Sequence, residues 1–272
     1  MTRLLISTDL DGTLLNHHDY SAAAAEPMLQ KLRSLEVPCV LNTSKTFAEL
    51  EPLRRRLGHR DAFIVENGAA VCIPSDDPLG VSMTPLPRMG NYRYQSFGPD
   101  RTAILALLKK LSGRFRFRGF SDLSVDDLIA CTGLDAASAT LAMQRQFTEP
   151  LIWEDSDDAL AEFAETLAGH QLQIQRGGRF VHVMGLCDKA EAMRWIARQY
   201  QSLWDEKVIV MALGDGENDI GMLQQADIPV VVRSPAHEPP PVPGRSDVRI
   251  TEREGPEGWY DAVGEALQRL GL

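Results

Sequence analysis

The sequence predicts an α/β protein, a doubly wound parallel sheet interrupted by an inserted α+β module. Three observations lead there. Short apolar runs at 4–6, 37–41, 63–65, 208–213 and 228–232 end at polar corners. Runs that are apolar on both faces suit buried parallel strands, whereas half-exposed strands alternate. Helical periodicity fills the intervals at 22–35, 48–57 and 190–200. The chain between about 85 and 185 follows a different pattern.

That middle part begins after a stretch punctuated by proline, 74–87. A helix is predicted over 102–111, with Ile104, Leu107, Leu108 and Leu111 on one face. Residues 114–117 alternate basic and aromatic side chains, as a half-exposed strand does. Two more strands are predicted at 151–153 and 180–184, with a helix over 158–167 between them. The expected division is a catalytic core of 1–84 and 186–272, with 85–185 as the insertion. The segment PAHEPPPVP at 235–243 excludes regular structure and reads as a surface loop peripheral to any site.

Composition narrows the function. The chain has 272 residues and a formal net charge of −10, which argues against nucleic acid or an anionic membrane as partner. An anionic substrate would therefore need lysine, arginine or a metal concentrated at its site. Cys39, Cys72, Cys131 and Cys187 are far apart and form no C-x-x-C pair, so a reducing compartment is expected, without disulfides or structural zinc. The opening apolar run of three residues is too short for a signal peptide, and no window approaches a membrane span. The expected location is cytoplasmic.

Four segments carry chemistry. The first strand delivers Asp9-Leu10-Asp11-Gly12-Thr13, two carboxylates on one side of the chain and a glycine for a sharp turn. Acidic pairs at strand ends also serve as turn or cap residues. The second strand ends in Asn42-Thr43-Ser44-Lys45-Thr46, hydroxyls and an ammonium at a strand-to-helix corner that suits phosphate. The same residues suit a plain helix N-cap. Lys189 opens the helix before the fourth strand, and by itself it reads as a surface lysine. Gly214-Asp215-Gly216-Glu217-Asn218-Asp219 follows that strand, a set of oxygen ligands of the kind Mg²⁺ takes, or else a capped tight turn. All four fall in order at carboxyl ends of the predicted parallel strands, where one site would form.

In this order the chain resembles the haloacid dehalogenase (HAD) superfamily of phosphatases, with Asp9 and Asp11, Thr43, Lys189, and Asp215 and Asp219 matching its four motifs. The resemblance implies a Rossmann-like core in which Asp9 is the nucleophile and Asp11 the general acid and base. It implies Mg²⁺ held by Asp9, the Asp11 carbonyl and Asp215, with Asp219 orienting the shell. Thr43, Ser44, Lys45 and Lys189 would bind the phosphoryl oxygens. The insertion, preceded by Glu66-Asn67-Gly68-Ala69, resembles the C2-type cap of the Cof-like branch.

Several segments narrow the resemblance to the mannosyl-3-phosphoglycerate phosphatase family. They are Ser44-Lys45-Thr46, the run from Arg145 to Pro150, Gly177-Gly178-Arg179-Phe180, and the run from Arg253 to Trp259. The resemblance implies a small phosphorylated glycoside as substrate, its glycerate carboxylate clamped by Arg179 or Arg145. The alternatives it leaves are a broad-range Cof-like sugar phosphatase and a phosphomannomutase. A phospho-accepting receiver module fits less well, since it needs neither Asp11 nor a cap.

Overall fold

The computed structural model describes residues 2–177 and 180–272. In chain order the strands are β1 (Thr2–Thr8), β2 (Cys39–Asn42), β3 (Phe63–Val65), β4 (Ala70–Pro74), β5 (Arg88–Met89), β6 (Tyr92–Ser96) and β7 (Phe117–Gly119). There follow β8 (Glu149–Trp153), β9 (Leu172–Gly177), β10 (Phe180–Gly185), β11 (Lys207–Gly214), β12 (Ile228–Arg233) and β13 (Arg249–Glu254). The chain divides into two compact units.

The first unit holds residues up to Thr43, then Leu57–Gln95 and Asp188–Leu272. Its nine-stranded sheet runs β13-β12-β11-β1-β2-β3-β4-β6-β5, parallel from β13 to β3. The chain winds outward from β1 through β2 and β3, then returns to build β11, β12 and β13 on the other side of β1. β1 is thus the point where the winding reverses, the place where open α/β sheets form their crevice. β2 is buried throughout and β11 nearly so, as their apolar runs required. β4 turns back antiparallel on β3, and β13 closes the opposite edge with the charged sequence RITERE. The α/β class expected from the apolar runs is the class observed.

The second unit comprises Ser44–Arg56 and Ser96–Cys187. Its antiparallel sheet has the order β7-β8-β10-β9. Leu151, Val181 and Val183 pack with Ile104 and Leu108 of the helix Arg101–Leu111 and with Phe163 of the helix Asp157–Ala168. Phe163 is the centre of an aromatic group, with Phe115, Phe117 and Trp153 at ring distances of 5.2, 5.6 and 5.1 Å. A smaller core of Phe120, Leu123, Leu128, Ala139 and Ala142 gathers the short helices Val125–Thr132 and Ala136–Ala142.

Two differences from the sequence reading have local causes. Pairing begins at Phe117 and not at residue 114, because the Phe115 N–H still bonds to Leu111 O at 3.1 Å and extends the helical turn. The segment Ser44–Arg56 groups with the second unit, tied there by Thr46 Oγ1 donating to Leu141 O at 3.0 Å and Arg145 Nη2 donating to Ser44 O at 3.0 Å. Among the described residues no helix is long and apolar enough to cross a membrane.

Phe163→Ala removes the ring at the middle of the second unit. It is expected to destabilise that unit by about 3–5 kcal/mol, the usual cost of deleting a buried aromatic. A lower urea midpoint by circular dichroism is the readout, and an unchanged midpoint would show that the aromatic group does not hold the unit together.

Candidate active site

The first unit brings Asp9, Asp11, Thr43, Lys189, Asp215 and Asp219 together at the carboxyl ends of β1, β2 and β11 and the start of the helix Lys189–Trp204. The Asp9 N–H donates to Leu213 O at 2.9 Å, which continues the β1–β11 ladder one residue beyond Thr8. Gly12, at φ +80°, then reverses the chain, and Leu15 N–H returns to Leu10 O at 2.8 Å. A side chain at Gly12 would have its Cβ 2.5 Å from Asp215 Oδ2, so the close approach of these two loops demands glycine.

Lys189 is placed by three contacts at the start of its helix. Asp188 caps its helix by accepting from the Glu191 N–H at 2.7 Å. Asn42 Nδ2 donates to Lys189 O at 3.0 Å. Glu66, Asn67 and Gly68 all have positive φ, and a Cβ on Gly68 would lie 2.1 Å from Asp188 O. That strained turn therefore lets the end of β3 touch the backbone at the helix start.

The ammonium of Lys189 is buried. It donates to Asp9 Oδ1 at 2.5 Å and to Asp219 Oδ1 at 2.7 Å. The other oxygen of Asp219 accepts the N–H groups of Asp215 and Gly216, both at 3.1 Å. Thr13 Oγ1 donates to Asp215 Oδ1 at 3.3 Å. Thr43 is buried at the end of β2, its N–H on Ile64 O at 3.1 Å and its carbonyl on the Asn67 N–H at 2.9 Å.

Electrostatics follow from this crowding. Burial pushes the Asp9 carboxyl well above its usual value; Lys189 opposes that, while Asp219, Asp215 and Asp11 add to it. Asp215 is raised by burial and by Asp219, against His237 and Lys189. Burial alone would lower the Lys189 ammonium, yet Asp219 and Asp9 hold it above its ordinary value, so it stays charged. Three buried carboxylates face one ammonium in a low-dielectric pocket, so ionising all three leaves an excess of two negative charges. Oxygens of Asp9, Asp215 and Asp219 all lie within 4.8 Å of one another. Hard oxygen donors with surplus negative charge fit a divalent cation such as Mg²⁺.

Ser44 and Lys45 are partly exposed and belong to the second unit. Arg145 is buried there and not solvated, its Nε donating to Thr148 Oγ1 at 2.8 Å. Arg179 lies outside the described residues. The proline-rich loop is not peripheral, since it brings His237 Nε2 to 3.3 Å from Asp215 Oδ2. Its histidine, set among prolines, gave no pattern to read. Sequence reasoning also missed the support under β1. Trp259, fully buried, donates from Nε1 to Thr8 Oγ1 at 3.0 Å, next to Asp9. Its segment was visible as a motif, but its partner 251 residues away was not.

A doubly wound sheet with this acid cluster and lysine at its winding reversal defines a class. The family model for haloacid dehalogenase-like hydrolase matches residues 6–85 and 152–238, and the chain belongs to that family. Two relatives, from Methanococcoides burtonii and Persephonella marina, each bear the name glucosyl-3-phosphoglycerate/mannosyl-3-phosphoglycerate phosphatase. The first is 37% identical over 261 residues, 95% of each chain; the second is 34% identical over 270 residues, 98% of each. Among solved structures, a HAD-superfamily phosphatase from Bacteroides thetaiotaomicron aligns with TM-score 0.66 at 18% identity, covering 100% of this chain and 96% of that one. The sucrose-phosphatase from Synechocystis aligns with TM-score 0.61 at 16% identity, covering 100% and 99%. These two likenesses show the shared fold.

The raised carboxyls have a consequence for the metal-free protein. A carboxyl whose folded value lies above its unfolded one, near 4, contributes stability that is present below that value and lost as pH rises through the folded one. In EDTA the Asp215→Asn variant, which lacks one such group, should therefore gain in Tm over wild type as pH rises from 5 to 7. Thermal scans of both proteins measure it. A Tm difference that shrinks over that range would show that Asp215 is not destabilised by its neighbours.

Proposed function

We propose that the protein is a Mg²⁺-dependent phosphomonoesterase that removes phosphate from mannosyl-3-phosphoglycerate, or its glucosyl analogue, through an aspartyl-phosphate. The observation that carries this is the buried Lys189 ammonium bridging Asp9 and Asp219 with Asp215 alongside. The names of the two relatives, alike over nearly the whole chain, supply the substrate class.

In this reading a carboxylate oxygen of Asp9 attacks phosphorus, forming a P–O bond as the bond to the glycerate oxygen breaks. Asp11 gives its proton to that leaving oxygen. It then takes a proton from water, which attacks phosphorus and releases inorganic phosphate and the Asp9 carboxylate. Lys189 holds one oxygen of Asp9 and so fixes the carboxylate's orientation. Thr43, Ser44, Lys45 and Lys189 receive the phosphoryl oxygens. Asp9, the Asp11 carbonyl and Asp215 would hold Mg²⁺, while Asp219, whose oxygens accept from Lys189, Asp215 and Gly216, orients the set. The cation, when bound, neutralises the crowded carboxylates and the incoming phosphate.

The second unit serves in this reading as the cap that selects the leaving group, with Arg145 and Arg179 as carboxylate clamps. Four thiols, none in a disulfide, suit the cytoplasm.

Asp9→Asn should lower kcat by more than about a hundredfold with the fold intact, as loss of a nucleophile does. Residual activity above that level would sink the assignment. Activity should vanish in EDTA and return with Mg²⁺; full turnover in chelator would remove the cation from the reading. Phosphate release across a panel of phosphates should favour the glycosyl-phosphoglycerates over hexose phosphates by at least about tenfold in kcat/KM, roughly 1.4 kcal/mol of transition-state binding. Equal rates would leave a broad sugar phosphatase, and dependence on a sugar bisphosphate would indicate a mutase.

A further inference from the structure

Two loops of the first unit meet at the Asp215 carboxylate. Thr13, in the turn after β1, donates to Oδ1 at 3.3 Å. Ser234, buried directly after β12, offers its hydroxyl to the same carboxylate. His237, further along that loop, brings Nε2 to 3.3 Å from Oδ2. Each oxygen of Asp215 therefore has a polar neighbour, and the loop after β12 supplies two of the three groups around it.

That loop is stiff and pinned. Pro235, Pro239, Pro240, Pro241 and Pro243 fix φ at their own positions and restrict the residue before each. Pro240 and Val242 are buried, and Gln224 Nε2 donates to Pro243 O at 2.9 Å. Arg245 closes the far end. Its Nη1 donates to Gln224 O at 2.9 Å and to Ala226 O at 2.8 Å, while Nε and Nη2 each hold Asp247 at 2.8 Å. At the near end the Ala236 N–H donates to Ser234 Oγ at 3.4 Å. So restricted a strap has little conformational entropy left to lose in holding one side chain in one place. The side chain it holds at Asp215, His237, is exposed, and an exposed imidazole against a carboxylate adds little to stability. The fold gains little from this contact, so its effect falls on Asp215.

We infer that His237 is a positioning residue for the divalent cation, presented by the proline strap so that it fixes the direction in which Asp215 offers its remaining lone pairs. This rests on the Mg²⁺ reading above and deepens it. Mg²⁺ demands a near-octahedral shell at short distances and tolerates little rotation of a carboxylate ligand. An imidazole N–H donates to a carboxylate oxygen. A carboxylate held by such a donor on one oxygen and by the Thr13 hydroxyl on the other is already turned before the cation arrives, and less order has to be created on binding.

The test titrates Mg²⁺ alone into the full chain, freed of metal with EDTA and dialysed, in a calorimeter. His237→Ala should weaken Mg²⁺ binding by about tenfold, the lower end of what loss of a partner behind a metal ligand costs. His237→Gln, whose Nε2 carries hydrogen at every pH, should recover most of that loss. In turnover assays the Mg²⁺ concentration giving half-maximal rate should rise in His237→Ala by a like factor. A histidine that served the fold alone would instead lower Tm in EDTA and leave the Mg²⁺ affinity of the folded protein at the wild-type value, which overturns the positioning role by itself. A wild type that binds no Mg²⁺ overturns that role together with the metal reading.

Discussion

The Lys189 ammonium is the interaction on which the catalytic unit depends. It is enclosed with three carboxylates and bonded to two of them. Burying a charge is tolerable only when partners replace its water, and removing one member of such a group typically costs about 3–5 kcal/mol. Here the balance is deliberately incomplete. One cation among three anions cannot satisfy the pocket, and the leftover negative charge is what makes a second cation welcome. The geometry thus trades stability of the empty protein for affinity toward what completes it.

Most of the effort in positioning these charges is made by backbone, not by side chains. Gly12 lets one acidic loop pass against another, and Gly68 lets a strained turn touch the carbonyl at the start of the lysine helix. Gly214 does the same for Asp219, whose carboxyl would meet a Cβ at 2.4 Å. Trp259 and Asn42 then fix the remaining freedom by single hydrogen bonds to Thr8 and to the Lys189 carbonyl. A site held this way resists drift, because its loops are packed directly against one another.

The sequence made the central parallel strands legible because both their faces are buried, and such runs announce themselves. It hid β13, whose RITERE reads as polar surface since an edge strand needs little apolar content. It hid β4 as well, whose apolar residues follow β3 too closely to suggest a reversal. The helices Val125–Thr132 and Ala136–Ala142 are short, and a 3.6-residue period cannot declare itself over two turns. Of the site, Asp9, Asp11, Thr43, Lys189, Asp215 and Asp219 were readable because motif order coincides with strand order. Thr13, Asn42, His237 and Trp259 were not, since what matters about them is a distant partner: 202 residues for Thr13 on Asp215, 147 for Asn42 on Lys189 and 251 for Trp259 on Thr8. Pairings over such distances have no periodic trace.

The bond between Lys189 and Asp9 spans 180 residues, with the whole second unit threaded between them. Contacts of such separation form late, because the chain must give up the entropy of a long loop before it gains them. During synthesis the first aspartate therefore waits, hydrated and without its lysine, until β11 arrives to lie beside β1. The chain cannot assemble its reactive pocket from either half alone. Completion of folding and acquisition of chemistry are the same event.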